Sequence, residues 1–310
     1  ARIPSRASRQ ASPVTDADRA ADTLLMGTIS LDHYLATGEI LPGGGVLNMA
    51  WNWQRLGRPF QLLTRAGSDD GGPITDFLAR HGIAAVSPGE LVARGRSSAI
   101  DIEILPDRQP YMDNFIGGVW DDYRLTAHER FSLRAAKRLH TVLVEGAIAE
   151  LERLGDAGLL RGIEVSADFL GFRHYTVDRL AATMRHVDLG FIGWPGAEDD
   201  PSVDGFRRVA TDLGRLLVVT MGSRAVRVFD GRAGTAAEAR DRRYPVAAVP
   251  VEGTTLGCGD AFIAWFLDTW WRTRDVDQAV AQGMIGGART TAWPRPLPDD
   301  AYLSERGPGR

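Results

Sequence analysis

Four compact apolar runs, at residues 141–144, 163–167, 189–192 and 216–220, constrain this chain more than any other feature. Each is short enough for a strand and too short for a helix. The stretches around 126–139, 177–184 and 203–213 repeat their apolar residues at helical spacing. A strand that is apolar on both faces must be covered on both, so these runs read as central strands of a mostly parallel sheet sandwiched between helices. The same rhythm opens the chain: a strand over 23–29, a helix over 46–56, a strand over 61–66 and a helix over 74–80 ended by Gly82. It closes with strands over 226–229 and 246–251 as antiparallel additions, the first ending at Asp230-Gly231, and with helices over 260–271 and 276–291. Gly283, Gly286 and Gly287 mark a close approach on the last helix, and the segment from Trp293 is proline-rich and reads as non-helical. The expected fold class is α/β, a three-layer, doubly wound, mostly parallel sheet.

Two segments break the rhythm, 31–41 and 97–118. In the second, Ala99-Ile100-Asp101-Ile102-Glu103-Ile104 alternates apolar with acidic residues, the mark of a sheet with one wet face. We read both as a small β-sheet lid inserted in the main domain, placed to cover a site at the carboxyl ends of the central strands. An exposed sheet of this kind also offers a surface for a homodimer. The domain spans 23–295, between a poorly ordered leader at 1–22, rich in Arg, Ser, Ala and Asp, and a C-terminal tail at 296–310. There is no internal repeat.

Of 310 residues, 44% are hydrophobic, enough for a substantial core. The charge is −4, with 36 basic residues interspersed among 40 acidic ones, which argues against nucleic acid or an anionic membrane as partner. The single cysteine, Cys258, excludes an internal disulfide framework, and no apolar run approaches the roughly 20 residues of a membrane span. These features point to a cytoplasmic protein. Lys137 is the only lysine, so a Walker-type Gly-Lys-Ser/Thr loop cannot exist and any nucleotide is held another way. No pair among the histidines has zinc-site spacing.

The chemistry concentrates at Thr254-Thr255-Leu256-Gly257-Cys258-Gly259-Asp260-Ala261-Phe262, just before the helix expected over 260–271. Glycines at a loop-to-helix junction expose backbone N–H groups where the helix dipole favours an anion. An aspartate in the first turn can take the proton of an attacking hydroxyl. Together they suit phosphoryl transfer, with Asp260 as base and the amides of Gly257, Cys258 and Gly259 as anion hole. Cys258 itself reads as a small residue in a tight turn, His33 as a hydrogen-bonded side chain, and Trp51, Trp53, Trp270 and Trp271 as packing.

With this motif in place, the chain from about Leu24 to Arg295 resembles the ribokinase-like (PfkB) carbohydrate kinases. Gly27-Thr28-Ile29-Ser30-Leu31-Asp32-His33 is similar to the opening of their sugar site. Gly43-Gly44-Gly45-Val46-Leu47-Asn48 resembles their first signature, a diglycine followed by a helical asparagine. Gly257-Cys258-Gly259-Asp260 resembles the second, and Thr220-Met221-Gly222-Ser223-Arg224-Ala225 the nucleotide loop. The resemblance implies that Ser30, Asp32, Gly43, Gly44 and Asn48 bind a sugar, that Thr220, Gly222, Ser223 and Ala225 bind ATP, and that Mg2+ accompanies the nucleotide. The second signature and the block Tyr111-Met112-Asp113-Asn114-Phe115-Ile116-Gly117-Gly118 look most like bacterial fructoselysine and fructosamine 6-kinases.

Three positions depart from the family pattern. Thr254 stands where an aspartate helps to hold a monovalent cation, which argues against cation activation. Pro195 replaces the asparagine of the magnesium-organising Asn-x-x-Glu motif, leaving Glu198 as its glutamate, and Ala225 replaces the last glycine of the nucleotide loop. These departures keep open a sugar-binding or regulatory protein with impaired catalysis. A nucleoside kinase of the same fold is a further alternative. A nicotinamide-dependent oxidoreductase is disfavoured, because no Gly-x-Gly-x-x-Gly follows the first strand.

Overall fold

The computed structural model describes residues 21–173, 175–237 and 240–303, so nearly all of the expected leader lies outside the described residues. In chain order the elements are β1 (Thr23–Met26), β2 (Ser30–Tyr34), β3 (Glu39–Gly43), α1 (Gly45–Arg55), β4 (Gln61–Leu63), β5 (Ala66–Gly67), α2 (Gly72–Arg80), β6 (Val92–Ala93), β7 (Ser98–Ile104), β8 (Pro110–Ile116) and α3 (Ala127–Ala135). They continue with β9 (Arg138–Val142), α4 (Glu145–Asp156), β10 (Glu164–Asp168), α5 (Val177–Met184), β11 (Leu189–Gly193), α6 (Pro201–Leu213) and β12 (Leu216–Thr220). The last are β13 (Ala225–Asp230), β14 (Asp241–Pro245), α7 (Cys258–Thr273), α8 (Val276–Thr290) and α9 (Asp299–Tyr302).

Among the described residues the main sheet has eight strands in the order β14-β13-β12-β11-β10-β9-β1-β4, parallel from β4 to β12 and antiparallel at β13 and β14. The period-2 geometry of a strand sends alternate side chains to opposite faces. Thus Leu216 and Val218 join one core with Trp53, Phe266 and Trp271 from α1 and α7, while Leu217 and Val219 join the other with Leu133, Leu151, Leu180 and Phe206 from α3 to α6. The three-layer reading holds. Strand order reverses at β1, between β4 and β9, and at such a switch point the crevice at the carboxyl ends of the strands is open to a ligand.

The small sheet is also present, in the order β3-β2-β7-β8. β2 pairs in parallel with β7, so both rise from the same base, and β8 forms an edge whose residues are nearly all exposed.

Four details differ from the sequence reading. The last strand falls on 241–245 rather than 246–251, because Tyr244 and its neighbours pair with β13 while 246–251 carries no ladder. Helix α4 was not expected; an apolar stripe at Ala147, Ile148, Leu151 and Leu154 faces the core. Helix α3 stops at Ala135, and Lys137 and Arg138 turn their amides to the Asp22 carbonyl as β9 begins. The expected tail is tied down as far as it is described: Leu297 and Ala301 are buried, and α9 follows the prolines.

Candidate active site

Helix α7 starts at the switch point. Gly257, its N-cap, has φ 82°, a left-handed conformation that costs an L side chain, and a Cβ there would sit 2.7 Å from Pro296 Cβ. Only glycine turns this corner at that distance. Among the described residues the turn leaves the amides of Gly257, Gly259 and Asp260 without a backbone partner, and space opens beyond Gly259, where a Cβ would meet nothing within 4 Å. The Cys258 amide departs from the expectation: it donates to the Thr255 carbonyl at 3.2 Å. Burial and the Asp260 charge push the Cys258 thiol up to about 12, so it stays protonated and is no nucleophile.

Helix α1 delivers the facing side. Asn48 Nδ2 donates to Asp260 Oδ2 at 2.7 Å, across 212 residues of chain, while Asn48 Oδ1 is buried without a partner among the described residues. A Cβ on Gly45 would come within 3.0 Å of Asp260 Oδ1, so the start of α1 presses against the carboxylate. On β2, Asp32 accepts from Ser30 Oγ at 2.6 Å. The glycine signature gives this carboxylate its room: a Cβ on Gly43 would lie 1.9 Å from Asp32 Oδ2, and Gly44 has φ 88° beside Ser30. Ser30, Asp32, Gly43, Gly44, Asn48 and Asp260 therefore form one cluster.

The sequence reading missed a member of it. Asp168 ends β10, is buried, and accepts the Leu170 amide at 2.9 Å. A carboxylate directly after a central apolar run was the available signal. Leu170 and Phe172 follow with φ 53° and 58°, strained values for non-glycine residues of the kind that gather at functional sites. Burial, together with the charge of Asp260, raises Asp168 and Asp32 to about 7 each, and burial raises Asp260 to about 6 against the pull of the Asn48 hydrogen bond. No ion pair reaches any of the three within the described residues.

The remaining expected residues lie further along the same edge of the sheet. Thr220 ends β12, Gly222 has φ 61° at the turn with exposed Ser223, and Ala225 opens β13, buried and paired with Pro245. Arg224 clips this turn to the segment after β11 through the carbonyls of Trp194 and Pro195 at 3.3 and 3.4 Å. Glu198 is not with the aspartates' cluster. Its two oxygens face Arg243 in a fork at 2.8 and 2.9 Å, which holds it below the usual carboxylate range. Thr254 is buried, accepts from the Leu256 amide and donates to the Arg108 carbonyl, both at 3.1 Å. Its hydroxyl is spent inside the protein.

Solved structures with this fold include several kinases. A microbiome-derived acarbose kinase superposes with a TM-score of 0.68 at 19% identity, covering 88% of this chain and 93% of its own. Ribokinase from Thermotoga maritima gives 0.68 at 15% identity, covering 92% and 96%. Adenosine kinase from Schistosoma mansoni gives 0.73 at 13%, covering 89% and 96%.

The fold is ribokinase-like.

In sequence, this ribokinase-like chain is 26% identical over 266 residues to fructoselysine 6-kinase of Escherichia coli strain K12, covering 86% of this chain and 95% of the relative. No family model matches the chain. Among the described residues, no helix is long and apolar enough to cross a membrane.

Proposed function

We propose that this chain is an ATP-dependent carbohydrate kinase that phosphorylates a hydroxyl of a sugar carrying an amino substituent. The observation that carries the reading is Asp260: it sits in the first turn of α7, oriented by Asn48, beside amides with no backbone partner. Asp260 accepts the acceptor hydroxyl's proton as the oxygen attacks the γ-phosphorus, and the bond from that phosphorus to the ADP oxygen breaks. The amides of Gly257 and Gly259 and the dipole of α7 stabilise the charge on the phosphoryl oxygens. Asp32 and the free Asn48 Oδ1 take hydrogen bonds from further hydroxyls, which fixes the acceptor in line.

Three aspartates without a cationic partner favour a neutral or positively charged acceptor over an anionic one. The match to fructoselysine 6-kinase supports a fructosamine in particular. ATP would lie along Thr220, Gly222, Ser223 and Ala225. Among the described residues no group of three or more His, Cys, Asp or Glu forms a cage for a metal. Mg2+ that accompanies a nucleotide is carried in on the phosphates and seldom needs a dedicated protein cage. Asp168, whose Oδ2 accepts no hydrogen bond among the described residues, would meet it or its water. The ion would supply charge neutralisation on the phosphate oxygens.

ADP release over a panel of sugars, nucleosides and fructosamines tests the reading. Turnover on a fructosamine that disappears in Asp260→Asn supports it. Binding of a sugar with no turnover at any Mg2+ concentration refutes it in favour of a sensor, and a preference for nucleosides reassigns the acceptor. We also propose a homodimer through the small sheet, since the edge strand β8 exposes Tyr111, Met112, Phe115 and Ile116 together.

A further inference from the structure

The segment after α8 closes a ring of contacts around the site. On one side of the loop before α7, the Arg108 carbonyl at the tip of the β7–β8 hairpin accepts from Thr254 Oγ1 at 3.1 Å and from the Thr255 amide at 3.2 Å. Gln109 Oε1 accepts from Thr255 Oγ1 at 2.9 Å, and Leu256 packs into the small sheet against Tyr34 and Ile102. On the other side, the carbonyls of Thr291 and Trp293 accept the amides of Gly253 and Thr254 at 2.8 and 2.9 Å, and Pro296 abuts Gly257. The ring is completed at Arg295. Its guanidinium donates to Glu39 Oε2 at the start of β3 and to Asp299 Oδ1, each at 2.6 Å, and lies 5.9 Å over the Tyr34 ring.

The anchor of this strap is firm. Arg80, the last residue of α2, and His81, its C-cap, hold the carbonyls of Tyr302 and Ala301, both at 2.9 Å, and Leu297 is fully buried. Arg295 is 20% exposed and Glu39 43%, so the guanidinium end is the sheltered half of the pair, and its second carboxylate, Asp299, and the Tyr34 ring add to the hold. Asp32 lies inside the ring: its charge, after burial, helps to raise the phenols of both Tyr34 and Tyr302.

We infer that Arg295 is a positioning residue for the acceptor. By tying the small sheet to the strap that braces the loop before α7, it holds Asp32 at its working distance from Asp260. Nothing in the ribokinase-like signatures covers this residue, and its kinetic consequence rests on the kinase reading above.

Arg295→Met, Arg295→Lys and Glu39→Gln test the clamp. Hydrogen exchange of the ligand-free protein is expected to quicken by roughly threefold or more in 30–43 and 98–116 of Arg295→Met, with β9 to β12 unchanged. In turnover, the acceptor KM is expected to rise roughly threefold to tenfold, while the ATP KM and kcat stay within about twofold. Arg295→Lys should recover most of the loss, and Glu39→Gln added to Arg295→Met should cost little more. Unchanged exchange in the small sheet overturns the inference. So does a rise of both KM values together, as general destabilisation would give. An enzyme that turns over no acceptor refutes the kinase reading instead, and the exchange experiment still decides the clamp.

Discussion

Neutralising Asp168 should make the ligand-free protein more stable, in a pH-dependent way. Its carboxyl is raised from 3.8 to about 7, first by burial and then by the charge of Asp260. A carboxyl whose folded pKa lies above its unfolded one stabilises the fold fully below the unfolded value and loses that contribution as pH rises through the folded value, here between about 4 and 7. At 1.36 kcal/mol per unit, the gap from 3.8 to about 7 corresponds to about 4 kcal/mol of cost at pH 8. Asp168→Asn keeps an oxygen for the Leu170 amide, 2.9 Å away, and removes the charge. Allowing for relaxation around the site, Asp168→Asn should gain about 2–4 kcal/mol over wild type at pH 8. The gain should shrink to about a quarter of that at pH 4.5, where the folded carboxyl is already protonated. Urea titrations of both proteins at the two pH values read the difference directly, and comparing variants cancels groups common to both, such as buried His140. A gain independent of pH, or a variant less stable than wild type at pH 8, refutes the account of a repulsive, desolvated cluster.

Further outcomes follow from the same geometry. The pH profile of kcat/KM should carry an acidic limb near 6, set by Asp260, and Asn48→Leu should move that limb upward because the hydrogen bond that holds Asp260 down is lost. Gly43→Ala places a methyl 1.9 Å from Asp32 Oδ2, so acceptor KM should rise by at least about tenfold in steady-state assays, with a lower melting temperature. Because the Thr254 hydroxyl is already bonded on both sides, turnover in potassium and in sodium salts should agree within about twofold. Phe115→Glu in β8 should shift sedimentation from dimer to monomer, and a wild type that sediments as a monomer at assay concentration removes the dimer proposal.

Short-range patterns made much of the fold legible in the chain. The runs at β9 to β12 and the helices between them were legible because burial on both faces of a strand, and on one stripe of a helix, leaves a short-range period in the chain. The α7 signature was legible because a left-handed corner at Gly257 and a carboxylate one turn later, Asp260, fall within four residues of one another. β14 was misplaced because an edge strand reading exposed-intermediate-exposed has little apolar signal, and its position is chosen by β13. Glu198 had the right residue type in the right neighbourhood, but Arg243, 45 residues away, takes its oxygens. Only the tertiary structure could bring Asp168 to Asp260, set Asn48 on it from 212 residues off, and tie Arg295 to Glu39 across 256. Contacts of that separation, and the desolvation that raises the three aspartates, depend on how layers pack and exclude water, which no local window of sequence contains.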